Sequence, residues 1–514
     1  MNSLPLLDLV VILLYLLGMI WVGVHFAGKG RDADRFTRAG GAIPGWAIGI
    51  SIYATFLSSN TFLGVPGKAF GTNWNAFVFS LSMPPAAWVA SKYFVPFYRG
   101  TGEVSAYTHL EHRFGAWART YAVVCFLLTQ LARMGSIFFG IALTLQALTG
   151  YSMTLIMIVV GLCIILYTVM GGIEAVIWTE VVQAVIKTLG ALLIIYLIIK
   201  GMPGGFPKIM ETASRYKKFS LGSFSPDLTQ TGFWVILLYG FFINLNNFGM
   251  DQNYVQRYHA ASSPAAASRS IWLCVGLYIP ASLLFFFIGT CLFAYYQADP
   301  GTLAMIKEQA ARERLPLHAA QEQISRLAAT LQPRDYGDKV MPHFIVTHVP
   351  AGISGLIIAA ILSAAMSTIS SGMNASATVF LEDIYARYFH RQVNNKQRMQ
   401  VLYAGTITFG MLGMLCGLAM MGTASILDMW WELSGIFAAG MLGIFLLGIF
   451  SRRTGNHVAM IAAVIGVLVI AWMTFSPRLP ASLGTLKNPF DKNMVIVIGT
   501  LSIFLVGVIL SRRR

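Results

Sequence analysis

Residues 53–67 of this 514-residue chain read YATFLSSNTFLGVPG, and this stretch decides the fold. Apolar sequence flanks it on both sides, but a polar run at 58–61 interrupts the segment, and two glycines and a proline follow. Such an interruption of a membrane helix can free backbone carbonyls, which are ligands for a small cation. The alternative interpretation is a kink that packs against neighbouring helices, and this stretch alone does not separate the two.

The composition of the whole chain is that of a polytopic membrane protein. Hydrophobic residues make up 56% and charged residues 11%, and the mean hydropathy is +0.67. Apolar windows of about 20 residues, the length that crosses a ~30 Å hydrocarbon core, recur from end to end. Because a segment in lipid must satisfy its own backbone, we expect these windows to be helices. The five cysteines all fall inside apolar windows, without a CxxC motif, so free thiols are expected.

We predict an all-α protein with about thirteen transmembrane helices. They cover residues 6–26, 43–66, 75–98, 120–148, 152–171, 177–199, 230–251, 271–297, 345–385, 399–421, 426–450, 456–475 and 493–511. The net charge of +15 does not indicate a nucleic-acid partner, because the basic residues are distributed over loops. Short loops on one face hold about 18 Lys and Arg, and those on the other about 9, so we expect a cytoplasmic C-terminus and an external N-terminus.

A second polar interruption has the sequence NLNNFGMDQ, at residues 244–252. Asn244, Asn246, Asn247 and Gly249 interrupt the seventh predicted helix, five helices after the first interruption. Paired interruptions at matching positions of two halves are typical of an inverted-repeat secondary transporter.

This pairing predicts four segments of the chain. They are an N-terminal helix and loop (1–42), a first repeat of five helices (43–229), a second repeat of five helices (230–450) and two C-terminal helices (451–514). The second repeat includes an external loop, 298–344, for which we expect amphipathic helices interrupted at Pro316.

Arg133, Glu180 and Lys187 are ionisable residues inside predicted spans. Arg133 sits in LLTQLARMGSIFF, and Glu180 and Lys187 share one helical face in IWTEVVQAVIKTLG. A cation at the bilayer centre costs roughly 2.5–3.5 kcal/mol on insertion scales, so Arg133 must face a cavity or a partner. Its two interpretations are a structural role, as an ion pair or a carbonyl clamp, and a site for an anionic substrate group. Lys187 is expected to lean toward Gln183 and Glu180.

A stripe of hydroxyl groups runs along the ninth predicted helix, in AAMSTISSGMN at 364–374. Ala364, Ser367, Thr368 and Ser371 share one face, and Ser370 flanks it. Membrane serines and threonines often bond their own helix or allow close packing. In a chain with two interrupted helices, the stripe favours a site for a hard monovalent cation, which binds several oxygen ligands.

With these motifs the chain resembles the solute:sodium symporter family over residues 5–475. The resemblance rests on FLSSNTFLGVPGKAF, YTVMGGIEAVIWTEVVQ, NLNNFGMDQNYVQRY and AAMSTISSGMNASATVFLEDIY, and its pattern is most similar to the bacterial sialic acid symporters. It implies a LeuT-like five-plus-five inverted repeat in a bacterial inner membrane. It also implies Na⁺ as the coupling ion and a small, anionic organic substrate, and we expect no obligatory protein partner.

The resemblance also implies site residues, by position. A first sodium site would use backbone oxygens of Ala54, Leu57 and Ala364 with the hydroxyls of Ser367 and Thr368. A second would use Glu180, Ser370 and Ser371, with a glutamate where the family pattern has an aspartate, and Lys187 could sit where that ion would. Expected substrate contacts are Phe56, Ser58, Thr61, Ser80, Arg133, Asn244, Asn247 and Phe248. Phe56 and Ser80 depart from the threonine and glutamine of the sialic acid branch.

The sequence therefore predicts a sodium-coupled symporter that imports a sialic acid or another sugar acid by alternating access. A sugar or a monocarboxylate is the alternative substrate. Two other classes stay open: a membrane-embedded solute sensor, disfavoured because the chain ends soon after the last predicted span, and a proton-coupled carrier using Glu180 and Lys187. An enzyme is not expected, because no nucleophile–base pairing or His/Cys metal spacing is present.

Overall fold

The computed structural model of the protein describes residues 5–27, 32–316, 320–390, 392–421 and 426–512. Within these ranges the chain is helical without β-strands, and one isolated β-bridge joins Ile43 to Ala261. The long helices are Leu6–Ala27, Gly45–Phe56 with Asn60–Gly64 and Val65–Gly71, Ala116–Thr149, Met153–Gly201, Phe233–Met250 with Gln252–Ala260, Pro264–Ala298, Ile353–Val379 with Phe380–Phe389, Asn395–Ala419, Ile426–Phe450, Asn456–Phe475 and Met494–Arg512.

Helical segments lie at each of the predicted positions. The third predicted span is a series of short pieces, Trp74–Phe77, Val78–Leu81, Met83–Val89, Ala90–Phe94 and Val95–Thr101. The fifth and sixth spans form one 49-residue element that breaks at Gly172, with φ 59° and ψ −163°. A side chain at Gly172 would also meet the Phe36 backbone.

Among the residues that the structure describes, ten helices are individually long and apolar enough to cross a membrane, or eleven if the bent pair counts as one span. The count of thirteen stays a prediction.

The first broken helix comprises Gly45–Phe56, Asn60–Gly64 and Val65–Gly71, and its two halves are bent by 57°. The helix stops because Leu57 leaves helical geometry, with φ −86° and ψ 79°. The polar run predicted to interrupt this span therefore does so. The break removes the carbonyls just before it from the helical hydrogen-bond ladder, so side chains of other helices must satisfy them.

The second broken helix comprises Phe233–Met250 and Gln252–Ala260, and its break lies later than the sequence predicts. The helix continues through Asn244, Asn247 and Gly249 and ends at Met250. Asp251 is extended, and its carboxylate accepts the Asn253 backbone N–H at 2.9 Å. The asparagine run does not interrupt the helix, because the Asn244 amide is bound by Ser82 Oγ of a neighbouring segment. The capping carboxylate of Asp251 starts the next helix only after Met250.

The carbonyls at this second break are bound by tyrosines. The hydroxyl of Tyr258 donates to Phe248 O at 2.9 Å, that of Tyr98 to Gly249 O at 2.6 Å, and that of Tyr107 to Met250 O at 2.8 Å. All three tyrosines are buried. Neutral donors therefore satisfy the backbone at the second break.

The long loop before the ninth predicted span contains three helices, Pro300–Arg312, Gln321–Thr330 and Pro333–His348. Pro316 lies between the first two, as predicted, whereas residues 317–319 lie outside the described ranges. The ninth span begins at Ile353, not at residue 345, because Pro333–His348 is a separate helix that ends before Pro350.

Helix Pro333–His348 packs closely on the first broken helix. A Cβ at Gly67 would overlap the Asp338 carboxylate and lie 2.8 Å from the Asp338 backbone nitrogen, so only glycine fits there. Asp338 is buried and accepts the Ile426 N–H at 3.0 Å, and burial raises the pKa of its carboxyl to about 7.

The hydroxyl helix, Ile353–Val379, occupies the centre of the protein and is buried along almost its whole length. It packs against Met153–Gly201, Leu6–Ala27, Asn395–Ala419 and Ala116–Thr149. It also contacts the first broken helix. This packing brings the predicted stripe of hydroxyl groups beside the first break.

Candidate substrate cavity and cation sites

The carbonyls at the first break are bound by two cationic side chains. Lys187 Nζ donates to Ala54 O at 2.7 Å and to Leu57 O at 2.9 Å. Arg133 Nη2 donates to Thr55 O at 3.0 Å. Positively charged donors therefore bind the backbone carbonyls at the first break, whereas neutral tyrosine hydroxyls bind those at the second.

Lys187 lies at the centre of the oxygens predicted for the first sodium site. Its third contact is Ser367 Oγ at 2.9 Å, and its side chain is fully buried. An ammonium group has three N–H donors, so these contacts use all of them. The prediction that Lys187 approaches Gln183 and Glu180 is wrong. Its ammonium binds the freed carbonyls of the first broken helix, because the Glu180 carboxylate is already paired with Arg257.

The other two predicted ligands of this first cation site lie next to it. Ala364 O accepts from Ser367 Oγ at 3.2 Å and from Thr368 Oγ1 at 3.4 Å. Thr368 Oγ1 also approaches Thr55 O at 3.3 Å. The structure thus brings all five predicted ligands together, but around an ammonium group. A sodium ion about 3 Å from that ammonium would be repelled by about 5 kcal/mol at an effective dielectric constant of about 20. In this arrangement the site does not fit Na⁺.

Arg257 lies at the predicted second sodium site. Arg257 Nη2 donates to both Glu180 carboxylate oxygens, at 2.8 and 2.7 Å, and to Ser371 Oγ at 2.7 Å. Its Nε donates to Ser51 Oγ at 2.7 Å, and its Nη1 to the Asn253 carbonyl. The side chains of Arg257 and Glu180 are fully buried.

Hydroxyl groups complete the contacts of the Glu180 carboxylate. Ser371 donates to it at 2.5 Å, Thr55 at 3.1 Å, and Ser51 through a short hydrogen bond. Ser370 is not among these donors, since its hydroxyl bonds the Ser367 carbonyl at 3.2 Å. Of the three residues predicted for this site, Glu180 and Ser371 meet each other, and Ser370 does not join them.

Sequence reasoning misses Arg257 and Ser51. It places Arg257 in a cytoplasmic loop, whereas the helix after the second break carries this residue into the protein core. One feature of the sequence could have indicated Arg257. It follows the second interruption by about one and a half helical turns, and the predicted membrane-buried Glu180 needs a cationic partner. Nothing in the sequence distinguishes Ser51 from a packing serine.

A cavity lies between the two broken helices. Six predicted substrate contacts line it: Phe56, Ser58, Thr61, Ser80, Arg133 and Asn247. The other lining residues are Asn60, Val65, Ala76, Phe79, Tyr239, Ile243, Tyr278, Ser282, Phe286, Leu427, Trp430 and Trp431. The space open to a water-sized sphere is about 70 Å³, so the cavity is narrow. Aromatic walls with a few polar groups are typical of a small-molecule site.

Two predicted substrate contacts lie elsewhere. The Asn244 amide donates to Ser82 Oγ at 3.1 Å, and Asn244 is not among the residues that line the cavity. Phe248 is fully buried behind the lining, with its ring centroid 5.7 Å from that of Phe56. Phe56 also packs on Tyr254 at 5.0 Å and on Tyr278 at 5.4 Å. These four aromatic rings form a layer beside the cavity, and two of them, Phe56 and Tyr278, line it.

Arg133 connects the cavity to both breaks. Besides its bond to Thr55 O, its Nη1 lies 3.6 Å from the Asp251 carboxylate at the second break. Its guanidinium lies 5.8 Å from the Trp430 ring centroid on the cavity wall. A guanidinium carries five N–H donors, so these contacts leave capacity for a ligand carboxylate.

The chain is similar in sequence and in fold to known sodium-coupled transporters. The sequence profile of the sodium:solute symporter family matches residues 36–466. The sodium/sialic acid symporter NanT of Aliivibrio fischeri is 30% identical over 511 residues, which cover 98% of this chain and 92% of that protein. The sodium/sialic acid symporter SiaT of Proteus mirabilis is 32% identical over 507 residues, covering 96% and 92%. A solved Na⁺-coupled sialic acid symporter, in a substrate-bound outward-open state, has 30% identity and a TM-score of 0.84, covering 99% of this chain and 98% of its own.

These matches confirm the predicted resemblance and the all-α, LeuT-like membrane fold. The relatives are named as symporters, which are transporters and not enzymes, and their sodium coupling supports the use of Na⁺ by this chain. The many long apolar helices and the family match together mark the chain as an integral membrane protein. Because the family profile covers most of the sequence and the matched fold is the same over nearly its full length, this chain belongs to the sodium:solute symporter family.

Proposed function

We propose that this chain is a secondary active symporter that imports a small, carboxylate-bearing organic solute. The observation that carries the proposal is the position of Arg133, which lines the cavity and contacts both breaks. A cation at this depth is costly unless it has a function or a full set of partners. A solute carboxylate against the guanidinium would complete its hydrogen bonds and join the two broken helices.

A sialic acid or another sugar acid is the leading substrate class. Ser58, Thr61, Ser80 and Asn247 offer hydroxyl and amide groups to a polyhydroxylated solute beside Arg133. The relatives named as sodium/sialic acid symporters support the same class. Phe56 closes the cavity on one side and would act as a gate residue that moves when the solute passes.

A small monocarboxylate is the second candidate, and one observation favours it. The space open to a water-sized sphere is only about 70 Å³, and aromatic rings form much of the wall. A short acid needs less movement of these rings than a sugar acid does.

The proposal includes the predicted architecture. Residues 43–229 and 230–450 would be the two inverted repeats, between the N-terminal segment (residues 1–42) and the C-terminal segment (residues 451–514). The N-terminus would lie outside and the C-terminus in the cytoplasm. One sodium ion would use the first cation site, formed by Ala54, Leu57, Ala364, Ser367 and Thr368, in a state of the protein in which Lys187 has left these oxygens. A second ion would need Glu180, Ser370 and Ser371, with Arg257 displaced from the Glu180 carboxylate. The solute would be anionic, and no protein partner is required.

The experiment is a thermal-stability screen of purified protein, because a ligand of the native state stabilises by RT ln(1+[L]/Kd). The probes are sialic acids, sugar acids, short monocarboxylates and neutral hexoses. Arg133→Ala should lose two charged hydrogen bonds, about 3 kcal/mol, so an acid should bind about 100-fold more weakly. A neutral hexose should be unaffected.

Arg99→Ala is the matched control for Arg133→Ala. Arg99 also donates to carbonyls, of Tyr258 and His259, but does not line the cavity. Acid binding that survives in Arg133→Ala, or a response to hexoses alone, would remove the basis for a carboxylate substrate.

A further inference from the structure

The charged side chains at the two breaks do not balance one another. In the parts of the chain that the structure describes, five charged side chains contact the breaks or one another there: Arg133, Glu180, Lys187, Asp251 and Arg257. Three are positive and two are negative, so together they carry one net positive charge. An unbalanced charge in a low-dielectric core is costly, and one negative charge from a ligand would remove the imbalance.

Asp251 contacts Arg133 without lining the cavity. It is buried, whereas Arg133 lines the cavity wall. Arg133 Nη1 lies 3.6 Å from Asp251 Oδ2, which is too far for a hydrogen bond but close enough for a substantial electrostatic interaction. The carboxylate therefore lowers the positive potential that Arg133 presents to a solute, and it leaves the N–H donors of the guanidinium available.

Three hydrogen bonds hold the Asp251 carboxylate in place. Its oxygens accept the Asn253 backbone N–H at 2.9 Å, Asn253 Nδ2 at 2.6 Å and Gln130 Nε2 at 3.3 Å. Neither side-chain amide can be turned round, because its oxygen would then face a carboxylate oxygen. All three partners are therefore donors, and donors stabilise the ionised form of a carboxylate.

We infer that Asp251 limits the cavity to solutes with a single carboxylate. The inference rests on the proposed function and adds a specificity-determining residue to the Arg133 site. A monocarboxylate against Arg133 neutralises the one net positive charge. A dicarboxylate leaves a negative charge in the cavity, whose described lining has no cation besides Arg133. Asp251 acts through the charge of Arg133 and does not touch the solute.

The first experiment compares acids that share a carbon skeleton. The pairs are gluconate with glucarate and propionate with malonate, and the second acid of each pair has one more carboxylate. Binding to purified protein is measured by titration calorimetry at about pH 8, where all four acids are ionised. Sodium-free choline buffer keeps the charges at the first break as the structure has them. Wild-type protein should bind the monocarboxylate of a pair about tenfold more tightly than the dicarboxylate, or better.

Asp251→Asn should strengthen acid binding and shift its selectivity. At about 7 Å and an effective dielectric constant of about 20, removal of the Asp251 charge should tighten monocarboxylate binding about 50-fold. The dicarboxylate should gain about tenfold more, because its second carboxylate, at about 12 Å, is also relieved of repulsion. Asparagine is an equally good helix cap, and the Gln130 amide can then turn to accept its NH₂ group, so we expect the variant to fold.

Asp251→Glu and Asp383→Asn are the controls. The first keeps the negative charge and should keep the preference for a single carboxylate. Asp383 is also a buried carboxylate beside an arginine, with Arg119 Nε at 2.6 Å, but neither residue lines the cavity. Asp383→Asn should therefore leave the ratio of the two affinities unchanged. The wild-type comparison needs no variant, so it tests the inference even where Asp251→Asn does not fold.

Two results would overturn the inference. They are wild-type binding of a dicarboxylate as tight as that of its monocarboxylate partner, and an unchanged ratio of the two affinities in Asp251→Asn, which a purely structural role predicts. Acid binding that depends on Arg133 but does not distinguish the two acids removes the role of Asp251 and leaves the proposed function standing. If no acid binds to either protein, the proposed function and this inference fall together.

Discussion

Removal of Arg257 should destabilise the protein more than most single substitutions. The Arg257 side chain is fully buried and contacts both Glu180 oxygens, Ser371, Ser51 and the Asn253 carbonyl. Arg257→Met would leave the Glu180 carboxylate buried without its cation. Breaking a buried pair from one side costs about 3–5 kcal/mol, because the remaining charge has no water and no partner.

The companion variant Glu180→Gln/Arg257→Met should recover much of that loss. A neutral amide at position 180 can still bond the hydroxyls of Ser51, Thr55 and Ser371, and no charge is left unpaired. We therefore expect a coupling free energy of about 2 kcal/mol or more from a double-mutant cycle. The assay is reversible unfolding of the four proteins in mixed detergent micelles, in sodium-free buffer.

Stabilisation by Na⁺ provides a second test of the importance of the Arg257–Glu180 ion pair. In Arg257→Met, the oxygens of Glu180, Ser371 and Thr55 become free to bind a cation, so Na⁺ at about 100 times its Kd should restore about 2.7 kcal/mol. The same salt should not stabilise the double variant, which lacks the carboxylate. An Arg257→Met protein that loses less than about 1 kcal/mol, or a cycle without coupling, would refute the importance of the ion pair.

Three further predictions concern other regions of the molecule. Phe56→Ala should open the aromatic layer and raise the rate of bound-solute release, measured by washout of labelled solute, whereas an unchanged rate would contradict its role as a gate. Asp338 has a folded-state pKa of about 7, above its ordinary value of 3.8, so its contribution to stability is full below about pH 4 and is lost as the pH rises through about 7. Asp338→Asn should therefore flatten the fall in melting temperature between about pH 4 and about pH 7, and an unchanged slope would assign that fall to other groups. Gly67→Ala should cost about 1–3 kcal/mol in unfolding free energy, because its Cβ would push Pro333–His348 away, and Gly18→Ala, with open space around it, is the control.

Most of the fold follows from local properties of the sequence. The length of each apolar segment predicts the position of a helix. The polar run after Phe56 predicts the first break, because polar side chains inside an apolar membrane helix are costly unless neighbouring helices bind them. The same reasoning places the second break too early. Asparagines such as Asn244 remain helical when a neighbouring helix binds their amides, and that neighbour is a tertiary property that no local pattern contains.

The candidate site could be predicted as a set of residues but not as an arrangement. Ala54, Leu57, Ser367 and Thr368 do meet, because a broken helix and a hydroxyl stripe fit together in one way. Lysine and arginine side chains are long and can reach in many directions, so their endpoints depend on which acceptors the fold leaves free. Lys187 therefore binds the carbonyls of the first break and Arg257 binds the Glu180 carboxylate, at the two positions where the sequence alone predicts sodium ions.

The fixed position of Arg257 has an electrical consequence. A guanidinium tied to the chain cannot cross the membrane with the solute, so the place expected for a second ion contributes no charge to transport. One sodium ion at the first site and one solute carboxylate, as proposed above, would then sum to zero net charge per cycle. A transporter of this kind would gain nothing from the roughly 2.3 kcal/mol per charge that each 100 mV of membrane potential offers, and solute accumulation would follow the ion concentration gradient alone.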